Sequence, residues 1–386
     1  MTVATRPEPP RASSPRARGG RSRGYHRAMR ELTIDGRRIA DDTPCFVIAE
    51  IGHNHQGSLE KAKALISAAA ECGANAVKFQ KRDNRSLYTR AAYDAPYDHE
   101  NSFGCTYGEH REALEFGKTE YTELQAEADR LGMAFFSTAF DMKSADFLAE
   151  LGAQAYKIAS GDLRNTPLLK HVAKLGKPMI VSTGGGTLDD VQRAYDAIMP
   201  INPRLCLLQC TCGYPAEFAE LDLRVITTYR EKFPDVVIGY SGHDNGIAMP
   251  LAAYMLGARV IEKHFTLNRA MRGTDHRFSL EPVGMKKMIR DLQRTRLALG
   301  DGRKKVYASE ASPVLKMGKK LVAARDLREG HVLTAADIAI KSPGDGLAPY
   351  HLDQLLGQTL TRDLRVDETI TLESLKQSSD RAAAGV

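Results

Sequence analysis

The sequence predicts a (β/α)8 TIM barrel followed by a small β-rich domain, and two observations support this fold class. Eight short apolar runs alternate with stretches that carry apolar residues at three- and four-residue spacing, the pattern of strands alternating with amphipathic helices. Most runs end on polar side chains, and the C-terminal strand ends of such a barrel meet on one face, where active sites are built. The runs are CFVIAEIG (45–52), AVKFQ (76–80), AFFSTA (134–139), AYKIAS (155–160), PMIVSTG (178–184), RLCLLQCT (204–211), VVIGYSGH (236–243) and VIEKHFT (260–266).

Helical stretches connect these runs. SLEKAKALISAAAEC (58–72), NTPLLKHVAKLG (165–176) and GIAMPLAAYMLG (246–257) each have apolar residues at helical spacing. The longest connection, from Lys81 to about Lys118, is polar and aromatic. Because a long loop at the C-terminal face of a barrel usually covers or shapes the site, we expect this insertion to border the active site.

Composition divides the chain into four segments. Residues 1–30 are rich in Arg, Pro, Ser and Gly, so we expect a disordered tail. The barrel domain spans 31–300 and opens with ELTIDGRRI (31–39), whose Asp-Gly pair predicts a hairpin at the barrel bottom. A charged linker, 301–317, leads to the β-rich domain at 318–380, where a strand–turn–strand pattern occurs twice.

The charge of the chain is concentrated in its tail. The net charge is +6, but residues 1–30 hold eight arginines and one acid, so the rest is nearly neutral. A neutral body argues against a nucleic-acid surface. The chain also lacks the run of about 18 apolar residues that a membrane span needs. The six cysteines form no CxxC pair or disulfide framework, which indicates reduced thiols in a cytoplasmic protein; the Arg/Ser-rich start leaves an organelle transit peptide open.

Polar side chains collect at the predicted mouth of the barrel. An inward lysine there needs an anion, and Lys78 and Lys157 both end strands. Gly-rich turns after Ser160 and Ser182 expose backbone N–H groups beside helix N-termini, so these features together predict a phosphate site, to which Ser241 adds a hydroxyl donor. The mouth positions are Glu50, Lys78, Gln80, Ser137, Lys157, Ser182, Gln209, Ser241, His243, Glu262 and His264.

Two histidines predict a metal site. His243 and His264 end the seventh and eighth strands, which are neighbours in a closed barrel, so their imidazoles can approach one another. Two imidazoles with a nearby carboxylate or water suit Mn²⁺, Fe²⁺, Co²⁺ or Zn²⁺. Glu262 lies on the same side of its strand as His264 and can serve as a ligand, a holder of a ligand or an ion-pair partner.

Three acids form the remaining candidate group. Glu50, Asp162 and Asp275 lie at strand ends or in the loops beyond them, where a carboxylate beside a metal and a phosphate can act as a general base. Helix capping is the alternative for Asp162 and Asp275. An anion site, a metal and carboxylates on one face indicate metal-assisted chemistry on a phosphorylated small molecule, with aldol-type condensation, isomerisation and phosphoester hydrolysis all open.

Three cysteines, Cys206, Cys210 and Cys212, lie close together in the sequence. They share one side of a strand, but successive residues on one side are about 7 Å apart. We therefore interpret them as buried small side chains and not as metal ligands.

Seven motifs resemble the sialic acid (N-acetylneuraminate) synthase family, and the likeness spans about residues 45–375. The YGEH and LQCT…YP variants are similar to the animal-type 9-phosphate synthases, and LREGHVLTAADI resembles the antifreeze-like (SAF) domain that ends these enzymes. The motifs are AEIGHNHQGSLEKAKALISAAAECGANAVKFQK (49–81), YGEHREALEF (107–116), YKIASGD (156–162), LQCTCGYP (208–215), GYSGHDNGIA (239–248), EKHFTL (262–267) and GTDHRFSLEP (273–282).

This resemblance implies a reaction and a partner for each candidate residue. The family condenses phosphoenolpyruvate with an N-acetylmannosamine-type aldose, forms a nine-carbon 2-keto acid and releases phosphate by C–O cleavage. It implies a Mn²⁺ or Mg²⁺ ion on His243 and His264, Glu50 as the base, and Asp162 as the acid of KIASGD. It implies a domain-swapped homodimer. Phosphoenolpyruvate would contact Lys78, Lys157, Ser160, Ser182 and Ser241, and the sugar would contact Gln80, Tyr214 and Asp275.

Three departures from common bacterial members bear on the sugar. Cys212 replaces an Asn, Asp162 replaces a Glu, and Ser342 replaces an Arg that reaches the N-acetyl group of the sugar in the partner subunit's site. A basic loop at Lys81, Arg82 and Arg85 could receive a sugar 6-phosphate, although an exposed basic loop is the commoner meaning. A 3-deoxy-aldulosonate synthase and a non-catalytic ligand-binding homologue are the alternative functions.

Overall fold

The described chain, residues 30–376 of this computed structural model, begins with the predicted hairpin. Strands β1 (Glu31–Ile34) and β2 (Arg37–Ala40) pair antiparallel around Asp35 and Gly36. Both turn residues have positive φ, 48° and 68°, a conformation that an Asp-Gly pair adopts readily. The hairpin prediction is therefore confirmed.

The predicted barrel is also confirmed. Eight parallel strands follow one another around a closed barrel, and the last pairs with the first. The strands are β3 (Phe46–Gly52), β4 (Ala76–Lys81), β5 (Ala134–Ala139), β6 (Tyr156–Ile158), β7 (Met179–Ser182), β8 (Leu205–Cys210), β9 (Val237–Gly242) and β10 (Val260–His264).

Helices follow the strands along the chain. The first is typical: Ser58 accepts a hydrogen bond from the backbone N–H of Lys61 at its start, and Gly73 ends it in the left-handed conformation. The helices of this part of the chain are α1 (Leu59–Cys72), α2 (Asn84–Leu87), α3 (Arg90–Tyr93), α4 (Tyr107–Glu112), α5 (Lys118–Arg130), α6 (Met142–Glu150), α7 (Thr166–Lys174), α8 (Leu188–Ile198), α9 (Val225–Lys232), α10 (Ala248–Met255) and α11 (Pro282–Leu299). Among the described residues no helix is both long and apolar enough to cross a bilayer.

Strand alternation separates an apolar floor from a polar mouth inside the barrel. Ile48, Ala76 and Phe136 are buried in one interior cluster with Leu32 and Ile34 of the hairpin. Because side chains on one face of a strand recur every second residue, the next inward positions toward the C-terminal end belong to Glu50, Lys78 and Thr138. The hairpin therefore plugs the bottom of the barrel, and the ionisable side chains lie above it.

A second compact unit begins at Gly300. Helix α12 (Ala311–Met317) precedes an antiparallel pair, β11 (Lys320–Ala323) and β12 (Ile338–Lys341), and α13 (Leu352–Leu355) follows. Its own core is made mainly of leucines: Leu321, Ala323, Leu327, Leu333, Leu355, Leu360, Leu364, Ile370 and Leu375. Strand pairing and a separate core agree with the predicted β-rich domain.

The predicted disordered tail lies outside the described residues, apart from Arg30. The side chain of Arg30 is buried, and its Nε donates to the carbonyl of Pro234 at 3.0 Å. The last predicted residues of the C-terminal domain, 377–380, also lie outside the described part.

Candidate active site

The C-terminal ends of the barrel strands enclose a cavity of about 420 Å³, a size usual for small-molecule sites. The structure brings together nearly all of the candidate site residues that were predicted from the sequence. Those that line the cavity are Glu50, Lys78, Gln80, Lys157, Ser160, Ser182, Tyr214, Ser241, His243, His264 and Asp275, together with Glu262.

Lys78 stands at the base of the cavity between two carboxylates. Its Nζ lies 2.8 Å from Oε2 of Glu50 and 3.6 Å from Oε1 of Glu262, and it donates to Thr138 Oγ1 at 2.8 Å. Both Lys78 and Glu50 are buried, with 3% and 1% of their surface exposed. Burial raises the pKa of Glu50 to about 7, against the opposing effect of the Lys78 ammonium. Glu50 can therefore exchange a proton near neutral pH.

Lys157 is the second buried ammonium and is less fully compensated. It donates to Ser182 Oγ at 2.6 Å and to the carbonyl of Ile158 at 3.0 Å, while its nearest carboxylate, Glu262, is 3.8 Å away. Burial lowers the pKa of Lys157, and the Lys78 ammonium adds to that effect. A bound anion would favour the charged form of this lysine.

Glu262 accepts from the surrounding cations and hydroxyls. Ser241 Oγ donates to its Oε1 at 3.1 Å, and the ammonium groups of Lys157 and Lys78 hold the pKa of Glu262 below its usual value despite burial. Of the three roles that the sequence left open, the structure shows the ion-pair partner.

A glycine turn lies beside Lys157. The N–H of Gly184 donates to Ser160 Oγ at 3.0 Å. A Cβ at Gly184 would lie 2.5 Å from Cys212 Sγ and 2.9 Å from Ser160 Oγ, so this close approach requires glycine. Backbone N–H groups and hydroxyls at such a turn form an anion site.

His243 and His264 lie together, as predicted, with ring centroids 5.3 Å apart. Nδ1 of His243 is 2.8 Å from the carbonyl of Thr211, which accepts only, so Nδ1 carries the hydrogen and Nε2 is left as an acceptor. Nδ1 of His264 is buried without a hydrogen-bond partner, 3.6 Å from Oδ2 of Asp275.

Both imidazoles are neutral at pH 7, which is the ligating form. Burial lowers the pKa of His243 to about 4, assisted by His264, and burial lowers the pKa of His264 to about 4 as well. A free acceptor nitrogen on one ring and an orphaned buried nitrogen on the other fit a cation. Within residues 30–376, no cluster of three or more His, Cys, Asp or Glu side chains forms a complete metal site, so water or substrate would have to supply further ligands.

The predicted sugar-binding residues lie above the lysines. Gln80 Nε2 donates to Glu50 Oε1 at 2.7 Å, and the Tyr214 ring lies 4.2 Å from that of His243. Gly52, with a φ of 53°, leaves this corner open, because a Cβ there would lie 3.1 Å from Glu50 and 3.2 Å from Gln80.

Of the residues to which the resemblance assigns a catalytic or substrate-binding role, Asp162 is the one that does not line the cavity. It sits in a 3-10 turn and accepts from Asn165 Nδ2 at 3.0 Å, and Asn165 in turn caps α7. Asp162 therefore lies at the start of a helix, as in the helix-capping alternative, although Asn165 is the residue that caps α7.

Two mouth positions also point away from the cavity. Ser137 donates to Tyr121 of α5, and Gln209 donates to the carbonyl of Leu221. Both lie on the outer faces of their strands, so their assignment to the mouth was wrong. The inward neighbour of Ser137 is Thr138, which lines the cavity and which the sequence reading missed.

The basic loop is exposed only in part, since Arg85 is exposed and Arg82 is not. Arg82 is buried, its guanidinium lies 3.6 Å from the Phe140 ring centroid, and it lines the cavity with His53 and Arg111. His53 stands in the AEIGHNH motif and Arg111 in the YGEHR segment, so the motifs contained them without showing that they meet.

Cys212 departs from the expectation of buried cysteines. Cys206 and Cys210 are buried, but Cys212 is exposed and lines the cavity. A hydrogen bond with Cys210 is the main factor that lowers the pKa of Cys212 to about 6.

Family models match both parts of the chain. The NeuB family model matches residues 65–304, and the SAF domain model matches residues 320–376. The SAF match covers most of the second unit described above.

Curated relatives match over most of their length. N-acetylneuraminate-9-phosphate synthase of Homo sapiens is 40% identical over 339 residues, which are 88% of this chain and 94% of that protein. N,N'-diacetyllegionaminic acid synthase of Campylobacter jejuni is 37% identical over 329 residues, 84% of this chain and 98% of that protein.

A crystal structure of a sialic acid synthetase has the same fold. The N-acetylneuraminic acid synthetase of Leptospira borgpetersenii, solved in complex with citrate, superposes with a TM-score of 0.65 at 33% identity. The match covers 75% of this chain and 97% of that one.

Proposed function

We propose, because this chain belongs to the NeuB family, that it is a nonulosonate synthase. It condenses phosphoenolpyruvate with an N-acetylmannosamine-type aldose, forms a nine-carbon 2-keto acid and releases phosphate. One observation supports this most directly: two buried ammonium groups, Lys78 and Lys157, share the carboxylate Glu262 in the cavity that also holds two neutral imidazoles.

The base of the cavity suits phosphoenolpyruvate. Lys157, Ser182 and Ser160 offer donors for its phosphate, and charge-assisted bonds to phosphate oxygens are among the strong ones. Lys78 faces the same space and offers its charge to the carboxylate end of the substrate. These residues hold the molecule so that its C3 carbon faces the mouth, where the aldose enters.

The bond changes assign a role to Glu50. C3 of phosphoenolpyruvate bonds to the aldehyde carbon, whose oxygen takes up a proton. The oxygen of a water bonds to C2, and when the C–O bond to phosphate breaks, that oxygen becomes the 2-keto oxygen and phosphate leaves with the bridging oxygen. Of the two protons of the water, one replaces the proton taken up by the aldehyde oxygen and the other leaves on phosphate. Glu50 accepts a proton from that water, a role that a carboxylate with a pKa of about 7 can perform at neutral pH.

His243 and His264 are the residues that would hold a divalent ion. Two imidazoles favour Mn²⁺ over Mg²⁺, which prefers oxygen ligands. Such an ion, when bound, supplies Lewis acidity toward a carbonyl oxygen. The protein's own contribution is orientation, since Thr211 fixes the His243 ring.

We also propose a cytoplasmic homodimer that exchanges its C-terminal domains, as the resemblance implies. Six free cysteines suit a reducing compartment. Val306, Tyr307, Val314, Leu315 and Met317 are large apolar side chains that are all more than half exposed along 306–317. A sedimentation experiment that finds a monomer, together with full activity after deletion of residues 318–386, would contradict this proposal.

Purified protein tests the reaction. With Mn²⁺, phosphoenolpyruvate and a panel of mannose-type aldoses, we expect phosphate release and a product whose mass equals the aldose plus pyruvate. If no aldose leads to phosphate release, the proposed function is wrong. Thermal shifts with substrates but without phosphate release would indicate a non-catalytic homologue, and a product from another aldehyde would indicate a 3-deoxy-aldulosonate synthase.

A further inference from the structure

The outer part of the cavity contains a pair of guanidinium groups on either side of one imidazole. Arg82 Nη1 lies 3.0 Å from Nε2 of His53, and Arg111 Nη1 lies 3.3 Å from Nδ1 of the same ring. The two arginines come from distant segments, since Arg82 follows β4 and Arg111 belongs to α4 in the long insertion. All three line the cavity.

This cluster has more donors than acceptors. A guanidinium only donates, and a neutral imidazole has one acceptor nitrogen. Burial and the two arginines keep the pKa of His53 well below its usual value, so the ring is neutral and can accept from only one of them. Nε of Arg82 is also buried without a hydrogen-bond partner, in a side chain that is only 6% exposed.

The nearby carboxylate does not neutralise the pair. Glu115 Oε2 is taken by Lys81 at 3.2 Å and by the backbone N–H of Arg82 at 3.2 Å, and its Oε1 stays 3.8 Å from Arg82 Nη1. Within the described residues Arg111 has no carboxylate within 4 Å; its Nε and Nη2 donate to the Tyr107 hydroxyl. The cluster therefore retains a net positive charge inside a largely desolvated pocket.

A continuous chain of contacts connects this cluster with the base of the cavity. Arg82 Nη2 donates to Gln80 Oε1 at 2.7 Å, Gln80 donates to Glu50 at 2.7 Å, and Glu50 meets Lys78 at 2.8 Å. Lys78, Gln80 and Arg82 are two residues apart, so their Cα atoms rise by about 7 Å per step toward the rim. An aldose whose aldehyde meets phosphoenolpyruvate near Lys78 directs its far end toward Arg82.

We infer that Arg82 and Arg111 form a subsite for a phosphate monoester on the aldose carbon farthest from the aldehyde, and that they select phosphorylated sugars. The inference rests on the proposed function for the direction in which the sugar lies. Three carbons of a nine-carbon product come from phosphoenolpyruvate, so C6 of the aldose becomes C9 of the product. Planar guanidinium groups suit phosphate oxygens because they can donate two parallel hydrogen bonds.

Calorimetry without phosphoenolpyruvate tests the subsite, because no turnover occurs. N-acetylmannosamine and its 6-phosphate are titrated into the wild type, Arg111→Met, Arg82→Lys and Arg82→Met. Arg85→Met is the control: it removes the same charge from the same loop, but Arg85 is exposed against the Tyr93 ring and does not line the cavity.

The readout is the ratio of the two dissociation constants. We expect the wild type to bind the 6-phosphate at least about 10-fold more tightly, and Arg111→Met to reduce that preference by about 10- to 100-fold. Arg82→Lys should reduce it less than Arg82→Met, and Arg85→Met should keep it. Equal affinity of the wild type for both sugars, or an unchanged preference in Arg111→Met, would overturn the subsite.

The design separates this inference from the proposed function. Should no aldose be condensed with phosphoenolpyruvate, the reaction is wrong, yet the binding preference still reports on the arginines. Should condensation occur equally well with both sugars and the preference be absent, the reaction stands and the subsite falls. If Arg82→Met does not fold, Arg111→Met and Arg82→Lys still decide the matter.

Discussion

Nζ of Lys78 lies 2.8 Å from Oε2 of Glu50, and both side chains are buried at the base of the barrel mouth. This pair keeps a carboxylate in a desolvated site with a pKa raised to about 7 by burial, next to a cation that faces the substrate space. A general base works best when its pKa lies near the operating pH. The pair therefore places a carboxylate that can accept a proton beside a cation that can bind an anion.

Replacing Glu50 by Gln should reduce kcat by about 10²- to 10⁴-fold, because the amide cannot accept the proton of the attacking water. The side chain keeps its size and its amide oxygen can still accept from Gln80, but the amide nitrogen in the place of Oε2 cannot accept from Lys78. Phosphate-release kinetics measure the loss, and calorimetric titration with phosphoenolpyruvate checks that the binding site is intact. A kcat within 10-fold of the wild type would exclude Glu50 as the base.

Removing divalent ions with a chelator should abolish turnover, and Mn²⁺ should restore it. His264→Ala should weaken Mn²⁺ binding, measured by the water-proton relaxation of bound Mn²⁺, since Nδ1 of His264 is a buried atom without another partner. His171→Ala is the matched control, because His171 pairs with Asp146 on the outer helices. Unchanged Mn²⁺ binding in His264→Ala would contradict the assignment.

Lys263→Met should lower the free energy of unfolding by about 3–5 kcal/mol, because it leaves the buried Asp244 carboxylate without its cation, with the Tyr240 hydroxyl still donating to it. Lys263 Nζ lies 3.1 Å from Oδ1 of Asp244, and neither side chain is exposed. Urea unfolding followed by circular dichroism measures the change. Lys170→Met on the exposed face of α7 is the control and should shift stability by less than about 0.5 kcal/mol. A similar shift in both variants would contradict the expectation.

Alkylation of Cys212 by iodoacetamide should follow a titration with a midpoint near pH 6. The thiolate is the nucleophile, and its hydrogen bond with Cys210 lowers the pKa of Cys212 to about 6, so the rate rises from pH 5 and levels off above pH 7. Peptide mass spectrometry measures the modified fraction, and Cys212→Ser should remove the signal. A midpoint near 8.5, the value of a free thiol, would show that the hydrogen bond has no effect.

Most of the fold was predictable because each element carries its own local signal. The alternating apolar runs located all eight barrel strands, and Asp35-Gly36 located the hairpin turn. The position of the site followed from the strands, because the C-terminal ends of all strands in a closed parallel barrel lie on the same face. Ser137 and Gln209 were misplaced because a fully buried strand is apolar on both faces, so its sequence does not show which face points inward.

The sequence placed the long insertion beside the site, as Arg82 and Arg111 confirm, but it did not show which side chains of the insertion enter the cavity. Arg82 has the sequence context of an exposed basic loop, and its burial depends on His53, Phe140 and the helix that carries Arg111. Arg111 lies in an insertion without a strand to fix its direction. Contacts between distant loops depend on tertiary packing, which periodicity in one segment does not encode.

The hairpin beneath the barrel also determines the order in which the substrates bind. With Leu32 and Ile34 closing the floor, whatever rests on Lys78 and Lys157 can arrive and depart only through the rim at Arg82. A sugar that bound first would block the path of phosphoenolpyruvate to the base of the cavity. The cavity therefore opens at one end only, and the substrate that binds deepest must enter before the sugar. The two substrates bind in a fixed order.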